Sequence, residues 1–124
     1  MNRNFQMKEL HWRLLCCLWV VTILVLSLMP ARNVPVVGVW NADKLVHTGM
    51  YFALALLMLK SHWFPMSSLK YLLVVALVCI GFGASIEWLQ EHCTTDRHFD
   101  DLDIVANTLG VVLFLFTKRF VKLV

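Results

Sequence analysis

Residues 71–90 read YLLVVALVCIGFGASIEWLQ, sixteen uncharged residues followed by a carboxylate at Glu87 and an amide at Gln90. Three further uncharged stretches lie outward from this one, at residues 14–29, 45–59 and 104–117, so that the chain holds four runs of 14 to 16 residues separated by short polar turns. A soluble core could bury such Leu/Val runs but would not need the Lys and Arg that flank them. Hydrophobic residues fill 60% of the 124 positions and the mean hydropathy is +0.72, above the roughly 45–50% apolar usage of soluble domains. The expected fold is an all-α membrane protein, a four-transmembrane-helix bundle forming one domain over residues 1–124 in contact with the lipid bilayer. Each run falls short of the ~20 residues that span a ~30 Å hydrocarbon core, so each helix must extend into its charged flanks or lean on aromatic anchors. Trp12, Trp40, Trp63 and Trp88 sit near the ends of the runs, as an aromatic belt requires.

The basic residues set the expected orientation. Arg3, Lys8, Arg13, Lys60, Lys70, Lys118, Arg119 and Lys122 share one side, whereas Arg32, Lys44 and Arg97 share the other, so the positive-inside rule puts both termini in the cytoplasm. Seven of the eight acids then lie outside. The net charge of +3 follows from this topology and gives no reason to expect nucleic-acid binding. The basic start followed by an apolar run has the shape of a signal peptide, but Met29-Pro30-Ala31-Arg32 lacks a small-residue cleavage site, which favours a retained helix. Residues 30–40, with two prolines and a glycine, read as an irregular outer loop.

Polar side chains recur at helical spacing at the same expected end of three helices. Lys44, His47 and Tyr51 stand at i, i+3 and i+7; Glu87, Gln90 and Glu91 at i, i+3 and i+4; Asp103, Asn107 and Gly110 at i, i+4 and i+7. A carboxylate at membrane depth needs a cation, and Arg97 with its bidentate fork is favoured over Lys44 as the partner of Asp103 or Glu87. Asp100 also suits a helix N-cap, with Asp103 in the capping-box position. Asn107, an amide in an apolar run, serves either as an interhelical tie or as a ligand contact. The pairs Gly49/Ala53, Gly81/Ser85 and Ala106/Gly110 have the spacing that lets helices approach closely.

Cys16, Cys17 and Cys79 fall within helices and only Cys93 is expected outside, so no disulfide framework is expected. Cys16 and Cys17 are read as packing cysteines, with palmitoylation as the alternative. Glu91, His92, Cys93, Asp96, His98 and Asp100, with His47 from another helix, offer metal-ligand types, but their spacing matches no zinc pattern and the cluster is read as a solvated turn. No metal and no cofactor is expected, and no nucleophile elbow is present.

The residues Asp43, Lys44, His47 and Tyr51, then Glu87 and Gln90, Arg97, and finally Asp103, Asn107 and Gly110 resemble in order, spacing and helix position the pattern of the VanZ-like family of small bacterial membrane proteins. The resemblance is strongest over residues 43–117 and departs from the family in the third loop, where Glu91-His92-Cys93-Thr94-Thr95-Asp96 replaces a small or Pro/Gly-containing stretch. It implies a multi-pass protein of the bacterial cytoplasmic membrane and a link to resistance against the glycopeptide teicoplanin. Three functions fit these residues. The first is an outward site of Lys44, His47, Tyr51, Glu87, Gln90, Arg97, Asp103 and Asn107 that binds an anionic or glycosylated envelope molecule, a lipid precursor or a glycopeptide-related ligand. The second is a small membrane enzyme with His47 and Glu87 as acid and base. The third is an ion or proton transporter, which would need oligomerisation because the inner halves of the helices carry no ionisable residue.

Overall fold

The computed structural model describes residues 3–33, 42–64 and 68–120, with only the backbone described for residues 3–6 and 119–120. Four helices make up these residues: α1 (Arg3–Leu28), α2 (Ala42–Ser61), α3 (Ser68–Cys93) and α4 (Asp101–Phe120). No strand occurs among the described residues. The helices are longer than the apolar runs that seed them, because each takes in its charged flank. At 1.5 Å per residue, the 26 residues of α1 and of α3 rise about 39 Å and the 20 of α2 about 30 Å. Three helices are long and apolar enough to cross a membrane, over Met7–Leu28, Ala42–Ser61 and Ser68–Cys93. Their outer faces carry exposed Leu14, Leu18, Val25, Leu73 and Leu77, apolar surface of the kind that lipid covers.

α2 is the central element. It packs most broadly on α4 and also on α1 and α3, while α1 and α4 each lie against α2 and α3. Ile23, Leu54, Ala55, Val75, Cys79, Val111 and Phe114 form the buried core between them, and Phe52 meets Phe114 edge to face with centroids 5.7 Å apart. The closest approach is at Gly110, where an added Cβ would stand 2.2 Å from the Thr48 carbonyl oxygen of α2. Ala106, one turn earlier, accepts a 3.1 Å hydrogen bond from Thr48 Oγ1 at its carbonyl. The expected small-residue contact at Ala106/Gly110 is therefore present. Gly49 and Gly81 are not contact residues: both are exposed, and a Cβ on either would meet nothing within 4 Å. The contact glycine of α3 is Gly83, where a Cβ would come within 3.1 Å of both the Asn107 amide and the Tyr51 ring.

The two ends of the bundle are closed differently. At one end Arg13 of α1 donates to the Ser61 and His62 carbonyls that finish α2, at 3.0 and 3.1 Å, and lies 5.4 Å from the Trp63 ring. His62 takes a left-handed φ of 42°, the conformation that stops a helix after its last turn. At the other end Gln90 Nε2 donates to the Ser27 carbonyl at 2.8 Å, and Asp96 accepts the Ala31 amide at 2.8 Å, so the end of α1 is tied to α3 and its following loop. Residues 31–33 form one 3₁₀ turn; the rest of the expected outer loop, with Trp40, lies outside the described residues. Cys16 and Cys79 are buried as packing residues, while Cys17 and Cys93 are exposed and all four thiols are free.

Candidate functional site

The polar stripes of α2, α3 and α4 meet at the Gln90 end of the bundle. The loop into α4 explains how. Glu91 Oε2 accepts the Phe99 amide at 2.6 Å and Glu87 Oε2 accepts the Asp100 amide at 3.2 Å, so two carboxylates of α3 hold the backbone that starts α4. Asp100 then caps the helix, its Oδ1 accepting the Leu102 amide at 2.8 Å. Asp103 makes no capping box, because the amide it would bond is already taken by Glu87. Its side chain turns to α2 instead.

There it meets Lys44, and this corrects the pairing expected from sequence. Lys44 Nζ bonds Asp103 Oδ1, lies 2.6 Å from Asp100 Oδ2 and sits 3.2 Å from Asp43 Oδ2. Arg97 makes no ion pair among the described residues, and its Nε is buried without a hydrogen-bond partner. The physical reason is the path of the chain: the turns that bring Asp100 and Asp103 to the start of α4 carry them over the first turn of α2, where Lys44 stands. Lys44 holds the Asp100 carboxyl below the usual carboxylate range. The same three carboxylates offset the poor placement of a cation at a helix N-terminus.

One turn deeper, His47 Nδ1 and Asn107 Oδ1 are 3.0 Å apart and His47 Nε2 is 3.6 Å from Asp103 Oδ2. An amide oxygen only accepts, so Nδ1 is the donor in this contact, and Nε2 faces the Asp103 carboxylate. Glu87, fully buried on α3, completes the group: donor atoms of His47, Glu87 and Asp103 all lie within 4.8 Å of one another. A further turn down, Tyr51 and Asn107 rest on Gly83, both almost fully buried. Three atoms at this level have no partner: Glu87 Oε1, Asn107 Nδ2 and the Tyr51 hydroxyl. Buried polar groups are nearly always satisfied, so this cluster holds unused hydrogen-bonding capacity.

Of the residues singled out by spacing, Lys44, His47, Tyr51, Glu87, Asp103 and Asn107 converge. Gln90 is turned to α1, where its amide donates to Ser27, and works as a tie between helices. The third-loop histidines stand apart: His92 stacks on Trp88 at 4.3 Å and His98 is exposed with Glu91 3.8 Å away. Two members were missed. Thr48 and Gly83 carry no charge, but Gly83 falls on the Glu87/Gln90 stripe at i, i+4 and i+7, and that register could have found it. A cleft of about 510 Å³ lies elsewhere, between Ser68, Leu69 and Leu72 of α3 and Val112, Leu115 and Phe116 of α4. Comparison of the chain with protein-family profiles, with curated proteins and with solved structures found no match.

Proposed function

We propose that the chain is a four-span protein of the bacterial cytoplasmic membrane, related to the VanZ-like family, with both termini inside and the Lys44/His47/Glu87/Asp103 end outside. In this reading the site binds the polar head of an envelope molecule whose tail lies among the helices. The observation that carries it is the set of buried, unpartnered atoms at Glu87, Asn107 and Tyr51, an acceptor and two hydroxyl- or amide-type donors. Hydroxyl-rich, glycosylated heads suit it better than purely anionic ones. Lys44 is already neutralised by three carboxylates.

Native mass spectrometry of the purified chain with total envelope lipid tests this. The expected result is a retained glycosylated lipid, lost in Asn107→Leu and Tyr51→Phe while the fold persists. Equal retention by the wild type and both variants would contradict it. The resistance link is tested separately, by teicoplanin and vancomycin susceptibility with and without the gene and with Arg97→Ala; unchanged susceptibility removes that part of the proposal.

A second reading, acid–base catalysis on such a molecule, is favoured by one observation: His47 and Glu87, which catalysis needs close together, lie in one cluster. His47→Gln and Glu87→Gln would then leave the bound lipid chemically unchanged in cells where the wild type converts it. Identical lipid profiles in wild type and variants would count against catalysis.

A further inference from the structure

The Glu87 carboxylate poses a charge problem that the protein's own side chains do not solve. It is fully buried, one oxygen accepts the Asp100 amide, the other has no partner, and no Lys, Arg or His nitrogen among the described residues lies within the 4.0 Å of an ion pair. Lys44 is spent on Asp43, Asp100 and Asp103. A buried carboxylate in that position requires a cation or a proton.

Each of three side chains has one atom occupied by its surroundings and one left over. Glu87 Oε2 is held by the Asp100 amide, leaving Oε1; Asp103 Oδ1 is held by Lys44, leaving Oδ2; His47 Nδ1 is held by Asn107, leaving Nε2. His47 Nε2 and Asp103 Oδ2 are 3.6 Å apart, and tetrahedral ligands ~2.1 Å from a zinc ion stand about 3.4 Å from each other. The Nδ1–H bond to Asn107 is the outer contact that fixes the tautomer of a metal-ligating histidine and directs its free nitrogen at the ion.

We infer that His47, Glu87 and Asp103 form a binding site for one divalent transition-metal ion of the zinc class, with Asn107 orienting the histidine. An imidazole with two carboxylates suits zinc, whereas magnesium and calcium prefer oxygen alone. Three protein ligands leave a fourth position for water or for an oxygen of a bound molecule. The ion supplies the cation that buried Glu87 lacks, while Asp103 shares its charge between the ion and Lys44. The site stands on these three ligands and does not depend on which head group the bundle takes.

The test uses the full chain purified in detergent, stripped with a chelator and titrated with zinc alone. One zinc per chain is expected, with magnesium failing to displace it, and with a rise in the thermal midpoint on loading. His47→Gln and Glu87→Gln abolish the binding while circular dichroism stays helical, Asn107→Leu weakens it about 10–100-fold, and His92→Gln with Cys93→Ser leaves it unchanged. Absence of stoichiometric zinc in the wild type overturns the inference, as does full affinity in a folded His47→Gln. Cobalt loading of the wild type needs no variant: a spectrum without a thiolate charge-transfer band is expected, and a strong thiolate band would put Cys93 at the ion and overturn the assignment.

Discussion

Lys44 decides the electrostatics of the polar end. Its side chain is 22% exposed and that of Asp103 15%, so their contact is shielded from water more than a surface pair and couples more strongly. In a double-mutant cycle, Lys44→Met and Asp103→Asn are expected to show an interaction of about 0.5–3 kcal/mol in unfolding from bicelles, whereas Arg97→Ala and Asp103→Asn add independently. Coupling at Arg97 with additivity at Lys44 would restore the pairing expected from sequence. Spacing alone put Lys44, His47, Glu87, Asp103 and Asn107 on facing stripes, but it could not choose between two nearby cations. That choice depends on how the loop turns, which Glu87 and Glu91 set by binding backbone amides rather than side chains. Asp100 has a pH consequence. Because Lys44 depresses its folded pKa, the stability it contributes is complete above the unfolded value of about 3.9 and is lost as pH falls through the lower folded value. Amide protection factors at the start of α4, exchange rates divided by their intrinsic values at each pH, should therefore be flat from pH 7 to 5 and fall in strong acid, and Asp100→Asn should remove that acid step; an unchanged step in the variant would assign it to another group.

At the scale of elements, the interface between α2 and α4 is fixed by Gly110. Alanine there must push the helices apart, because the atom it meets is the backbone oxygen of Thr48 and cannot swing away. Gly110→Ala is expected to cost about 1–3 kcal/mol or more, while Gly49→Ala, facing open space, is expected to gain a few tenths to about 1 kcal/mol from helix propensity. Equal effects of the two in a bicelle unfolding assay would contradict the helix register. Gln90→Leu should lose about 1–3 kcal/mol by leaving the Ser27 carbonyl unpaired, and because Gln90 ties α1 to α3 it should loosen α1 without altering ligand binding. The existence of the four helices was legible from the apolar runs. Extension into the charged flanks was legible from the length a span needs, but the end points were not, since counting uncharged residues stops at Arg13, Lys44 and Glu87, which the helices pass straight through. The choice of glycines was half legible: small-xxx-small spacing names pairs on one helix but not the face that meets a neighbour, so Gly83 was passed over for Gly81.

At the scale of the whole molecule, the two ends of the bundle are chemically opposite. One is finished by a cation, with Arg13 covering the last carbonyls of α2; the other gathers Asp43, Glu87, Asp100 and Asp103 around a single lysine and a histidine. That asymmetry agrees in sense with the distribution of Lys and Arg along the sequence, and it is the basis for proposing that the acidic end faces outward. Cys93, exposed at the last residue of α3 and one turn from Gln90, reports on that end. The most direct measurement is therefore thiol labelling in intact cells, with Cys17→Ser to silence the other exposed thiol and a membrane-impermeant maleimide as the probe. The account predicts that Cys93 reacts in intact cells and that a cysteine placed at Lys122 reacts only after permeabilisation; Cys93 reacting only after permeabilisation would turn the molecule over and contradict an outward-facing site.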